Sequence, residues 1–104
     1  MHYKILQIKK ALVSTGTYLF MSYDYAKKHD FDLRDYDVVY EGEKDDYYGH
    51  EDTLESLFFI FNCKQPKDFK GHSLSVSDIV ELDGSYYYCD FAGWKHLNKL
   101  NDLL

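Results

Sequence analysis

Asp83-Gly84, set between Ile79-Val80-Glu81-Leu82 and Ser85-Tyr86-Tyr87-Tyr88-Cys89-Asp90, constrains this chain more than any other feature. Glycine reaches positive φ without a Cβ clash, so an Asp-Gly pair favours a two-residue hairpin loop, and the runs on either side suit a pleated surface. An antiparallel pair follows, with Ile79 and Glu81 on one face and Val80 and Leu82 on the other. Just upstream, Ser73-Leu74-Ser75-Val76-Ser77 alternates with period two, which predicts a half-buried strand or the approach to one. Ser77-Asp78 breaks the alternation with short side chains that bond nearby backbone, so a tight turn is expected there. Gly71, His72, Ser73, Ser75, Ser77 and Asp78 before the hairpin, and Asp90, Gly93 and Trp94 after it, therefore read as a structural motif that shapes the scaffold.

The remaining segments add one sheet and its helices. Tyr3 to Ile8 and Tyr36 to Glu41 are β-branched and aromatic enough for strands, with Ser14-Thr15-Gly16-Thr17 as a loop and Gly42 as a turn residue. Ser22 caps a short helix near 22–29, whose Lys27, Lys28 and His29 face the negative end of its dipole. Leu54, Leu57, Phe58 and Phe61 recur at helical spacing, which predicts a principal packed helix over 52–63 with Asp52 or Thr53 as its cap. Pro66 stops that helix by restricting Gln65. Trp94, Leu97, Leu100 and Leu104 form an approximate helical stripe, read as a short C-terminal helix. The expectation is an α+β fold, a small and mainly antiparallel sheet covered by one helix, in a single domain over 1–104.

With 104 residues, 45% hydrophobic and 18% aromatic, the chain carries enough apolar surface to fold as one domain. Its longest apolar run, Leu57 to Phe61, falls far short of the ~20 residues a membrane span needs. No secretory pattern opens the sequence, so a cytoplasmic setting is expected, with Cys63 and Cys89 as reduced thiols. Charge is unevenly placed. Residues 24–55 hold twelve of the eighteen acids and four of the twelve bases, whereas the remainder is slightly basic. That segment repels a phosphate backbone.

Asn62-Cys63-Lys64-Gln65-Pro66-Lys67-Asp68-Phe69-Lys70-Gly71-His72-Ser73-Leu74-Ser75-Val76-Ser77-Asp78-Ile79-Val80 resembles the signature of the YodL-like domain family. The likeness extends through Tyr87-Tyr88-Cys89-Asp90 and Gly93-Trp94, and upstream through Met21-Ser22-Tyr23-Asp24 and Tyr36 to Glu41. Cys89 stands where the family pattern has a β-branched residue, and Trp94 where it has Phe. The resemblance implies a protein of plasmids, integrative elements or phages of Gram-positive bacteria. It implies anti-defence work by association only, and carries no catalytic residue over.

His72, the serines at 73, 75 and 77, and Asp78 also suggest a small enzyme with a pocket at the Ser-rich turn 72–78. A triad needs a base within hydrogen-bond reach of its nucleophile, and alternating strand neighbours point apart, so the scaffold role is favoured. The histidines and cysteines show no zinc-like spacing and the glycines no phosphate cradle, so neither metal nor cofactor is expected. Tyr86-Tyr87-Tyr88 with Lys95 and Lys99 suggests a sheet-surface binder of single-stranded nucleic acid, but the basic stripe of such a protein is missing. The acidic segment is the sharper signal. Asp35, Asp37, Glu41, Glu43, Asp45, Asp46, Tyr47, Tyr48 and Glu51 form a candidate partner-binding surface. Carboxylates there stand in for phosphates and tyrosines supply contact area, against the plainer role of a solvated face. The expected function is a non-enzymatic protein-binding module, its partner a host protein such as a restriction or CRISPR-type nuclease, with no direct nucleic acid and no membrane.

Overall fold

Strand β1 (His2–Ile8) lies between two antiparallel neighbours, pairing Ile5 with Tyr40 of β2 (Tyr36–Glu43) on one side and with Val80 of β3 (Ile79–Leu82) on the other. The structure, a computed structural model, describes residues 1–14, 18–45 and 48–97. Beyond β3 the Asp83-Gly84 loop returns the chain as β4 (Ser85–Asp90), in register with Ile79 opposite Tyr88. Asp83 and Gly84 both take positive φ, as the two-residue loop requires. β5 (Gly93–Leu97) completes a five-stranded sheet of order β2-β1-β3-β4-β5.

Helix α3 (His50–Cys63) connects β2 to β3 across one face of the sheet, because those strands lie on opposite sides of β1. Its Leu54, Leu57 and Phe61 meet Tyr3, Ile5, Val80 and Leu82, with Phe69 and Leu74 closing the end of the layer. Leu57 and Phe61 are fully buried, each stabilising by roughly 2–3 kcal/mol. The other face is covered as well. Tyr18, with Tyr23 and Ala26 of α2 (Tyr23–Lys28), packs on Leu6, Ile8, Ile79, Tyr88 and Leu97. Ser22 caps α2 as its sequence predicts, accepting from the Tyr25 amide at 3.2 Å. The short helix expected near 22–29 thus forms part of a second layer on the face opposite α3.

Several expectations are corrected. The predicted C-terminal helix does not begin at Trp94: residues 93–97 are β5, and the rest of that expected helix lies outside the described residues. Gly93 at φ 91° turns the chain after Phe91-Ala92, and pairing with β4 then wins over the helical spacing of Trp94 and Leu97. A one-turn helix α1 (Lys10–Val13) follows β1, and of the loop expected at 14–17, residues 15–17 lie outside the described residues. Helix α3 begins two residues before Asp52, with Gly49 at its N-cap. No regular strand forms at 73–77, which is an irregular approach to β3. Gly42 is within β2 and not in a turn, because the Tyr3 ring lies where its Cβ would be, with the hydroxyl 2.6 Å away.

Candidate functional site

The 71–78 segment is held by hydrogen bonds to most of its polar side chains. Asp78 is fully buried, and its Oδ2 accepts from the Ser75 amide at 2.8 Å and from Gln7 Nε2 at 3.1 Å. Gln7, buried on β1, also clamps His72, its Oε1 accepting from the His72 amide at 3.2 Å and its Nε2 donating to the His72 carbonyl at 2.8 Å. Ser77 Oγ accepts from the Phe20 amide at 3.0 Å, while Ser75 Oγ donates to the Ser73 carbonyl at 2.7 Å. Ser73 Oγ accepts from Gln65 Nε2 at 3.2 Å.

His72 faces the Ser73 carbonyl through Nδ1 at 2.7 Å and Asp78 Oδ1 through Nε2 at 3.7 Å. A carbonyl only accepts, so Nδ1 carries a proton, and the 3.3 Å approach of Gln7 Nε2 to it is a contact between two donors. Neither ring nitrogen is left facing a serine hydroxyl. Burial pushes the Asp78 carboxyl up to about 8, against the opposing pull of the Ser75 and Gln7 hydrogen bonds. The arrangement is built to hold a turn. Its sequence signal was the Ser-Asp break, but Gln7 was missed because its partners lie about seventy residues away.

The acidic residues divide into groups with different surroundings. Asp35 is tied inward, accepting from the Tyr18 hydroxyl at 3.0 Å. Glu41 and Glu43 flank the His2 ring at 3.1 and 2.9 Å, and the Glu43 hydrogen bond, with Coulombic attraction, raises the imidazole's proton affinity. The same contact holds the Glu43 carboxyl below its ordinary range. Asp37, Asp45, Tyr48 and Glu51 are exposed, Tyr48 at 84%. Asp46 and Tyr47 lie outside the described residues. Arg34 does not neutralise this surface, since its guanidinium is engaged by Asp32 at 2.7 Å.

The sheet brings together a second group that the sequence reading did not assemble. His50 Nδ1 and the Tyr87 hydroxyl are 2.5 Å apart across the start of α3 and β4, and His96 of β5 stacks on the Tyr87 ring at 4.7 Å. Beside them Glu51, Glu55 and Trp94 line a cleft of about 390 Å³. Of these residues the sequence places only Glu51 in the expected partner surface, and Trp94 in the expected structural motif. The signal available in the sequence was Glu51 and Glu55 at helical spacing; what sets Trp94 opposite them is the β4–β5 register. Asp90 and Gly93 flank the turn from β4 into β5. Asp90 Oδ1 accepts from the Phe91 amide at 2.9 Å and the Tyr23 amide at 3.4 Å, fixing the turn and the start of α2. Tyr88 is buried and Tyr87 is engaged on two sides, so residues 86–88 present no row of three open rings. Among the described residues no group of three or more His, Cys, Asp or Glu side chains is placed to hold a metal. No helix among them is long and apolar enough to cross a membrane.

Residues 2–99, nearly the whole chain, match the family model described as the YodL-like domain. The uncharacterized protein R785 of Acanthamoeba polyphaga mimivirus is 35% identical over 101 aligned residues, which cover 78% of this chain and 93% of that protein. No solved structure matches.

Proposed function

This chain belongs to the YodL-like domain family, and on that premise we propose that it is a non-enzymatic protein-binding module of a phage or mobile element that blocks a DNA-handling nuclease in the host cytoplasm. The observation that carries this reading is the run of exposed carboxylates from Asp37 and Glu41 on β2, through Asp45, to Glu51 and Asp52 at the start of α3. Tyr48 stands fully outward within it. A nuclease that grips phosphates offers a basic groove, and fixed carboxylates meet it with complementary potential while tyrosine adds contact area. The relative R785 is itself a viral protein, which suits a role on the invader's side. The competing enzymatic reading is disfavoured because the hydroxyls of Ser73, Ser75 and Ser77 all serve the turn and Nδ1 of His72 is bonded to the Ser73 carbonyl.

Affinity capture from host lysate tests the reading. The intact protein retains a DNA-handling enzyme, releases it as salt rises, and loses at least about tenfold in affinity when Asp37, Glu41 and Asp45 are all replaced by Lys. Capture of no DNA-handling protein, or retention unchanged by the triple reversal, overturns it.

A further inference from the structure

Trp94 forms one wall of the 390 Å³ cleft, and the first two turns of α3 form the other. Glu51 and Glu55 stand one helical turn apart on that second wall, and neither is paired with a cation among the described residues. The nearby Lys95 ammonium turns to the opposite face of the sheet, 6.0 Å over the Tyr23 ring. Beyond Glu55 the depression continues into a second cleft of about 210 Å³ between Phe58, Phe91 and the same Trp94. Phe91 is 71% exposed there, and Phe58 meets the indole edge-on at 6.4 Å.

Each class of occupant meets these walls differently. An anion is repelled by the two carboxylates. An apolar group strips water from them and returns no hydrogen bond. A bare metal ion lacks a third ligand among the described residues. A planar cation on an aliphatic stem fits each part, since guanidinium stacks on an indole face, donates a fork of hydrogen bonds to carboxylate, and lays methylenes over aromatic carbon. The positive end of the α3 dipole disfavours a cation beside His50, so the charge belongs further along, at Glu55 and Trp94.

We propose that this cleft receives an arginine side chain of a protein partner, with Glu55 and Glu51 accepting from the guanidinium and Trp94 stacking on it. The proposal rests on the protein-binding reading above but not on the partner's being a nuclease. Trp94 is the only tryptophan in the chain, so its emission reports on the cleft directly. Titration of the full chain with N-acetyl-arginine methylamide saturates at about 1–10 mM, as an open stacking and ion-pair site allows. The lysine counterpart binds more weakly, and the uncharged, isosteric citrulline counterpart leaves the emission unchanged. Glu55→Gln weakens the arginine probe by about tenfold, with its thermal midpoint confirming that the variant is folded. Equal responses to arginine and citrulline, no response to arginine, or a folded Glu55→Gln protein that binds like the parent would each overturn the assignment. The titration contains no host protein, so a failed lysate capture leaves it standing, and a failed titration leaves the acidic surface of β2 unaffected.

Discussion

Asp78 Oδ1 lies 3.7 Å from Nε2 of His72 and has no hydrogen-bond partner among the described residues, although its carboxyl is wholly buried. Its other oxygen holds two donors, so the two ends of one side chain differ sharply in what they gain from the fold. An uncompensated buried oxygen favours the protonated carboxyl.

That relationship sets a pH dependence. The folded group titrates at about 8 instead of 3.8, so the native state holds a proton that the unfolded chain releases between these values. Stability from this group is therefore complete below about pH 4 and falls as pH rises through 8. Asp78→Asn keeps the acceptor at Oδ2 and removes the titration. In urea unfolding the variant gains on the parent by more than ~1 kcal/mol between about pH 5 and pH 8.5. Parallel profiles mean that the carboxyl ionises against His72 without penalty.

Ser77 combines a φ of 84° with a buried carbonyl that accepts from the Tyr36 hydroxyl. Alanine at this position keeps the left-handed backbone and loses the bond to Phe20, whereas glycine loses the same bond and relieves the backbone. Ser77→Gly is expected to be milder than Ser77→Ala by about 1 kcal/mol, reversing the order usual for extended backbone. Thermal melts of the two variants decide it, and alanine as the milder change would contradict the strain.

A Cβ on Gly71 collides with Gln7 Oε1 and comes within 2.9 Å of the Phe69 ring. Gly71→Ala should cost about 1–3 kcal/mol through that collision. Shortening Gln7 to Ala removes one of the two obstacles, so the double variant loses less than the two single losses together. Strict additivity in denaturant would show that the two residues do not press on each other.

Gly93 provides a direct check on the strand that replaced the expected helix. Its φ of 91° places it where alanine is strained by roughly 1–2 kcal/mol. Gly93→Ala therefore lowers stability with no gain in helical circular dichroism, and hydrogen exchange quickens first in β5. A rise in helix content would restore the helical reading of Trp94 and Leu97.

What the residues settled by themselves was local. Asp83-Gly84, the Leu54-Leu57-Phe61 stripe, the Ser22 cap and the acidic bias of 24–55 each act through near neighbours, where propensity, spacing and turn chemistry are enough. The α+β class was therefore legible, as was the antiparallel hairpin. Tertiary structure decided the features that need partners far along the chain. Trp94 and Leu97 have helical spacing, but β4 offers a ladder of backbone hydrogen bonds that places them on opposite faces of the sheet. Gln7 is an unremarkable polar residue in a strand until the 71–78 segment closes over it. The cleft between α3 and β5 likewise exists only once the β2–α3–β3 crossover carries Glu51 and Glu55 over the sheet and brings them opposite Trp94. Contacts of that range depend on how strands are ordered, and strand order is a property of the whole core.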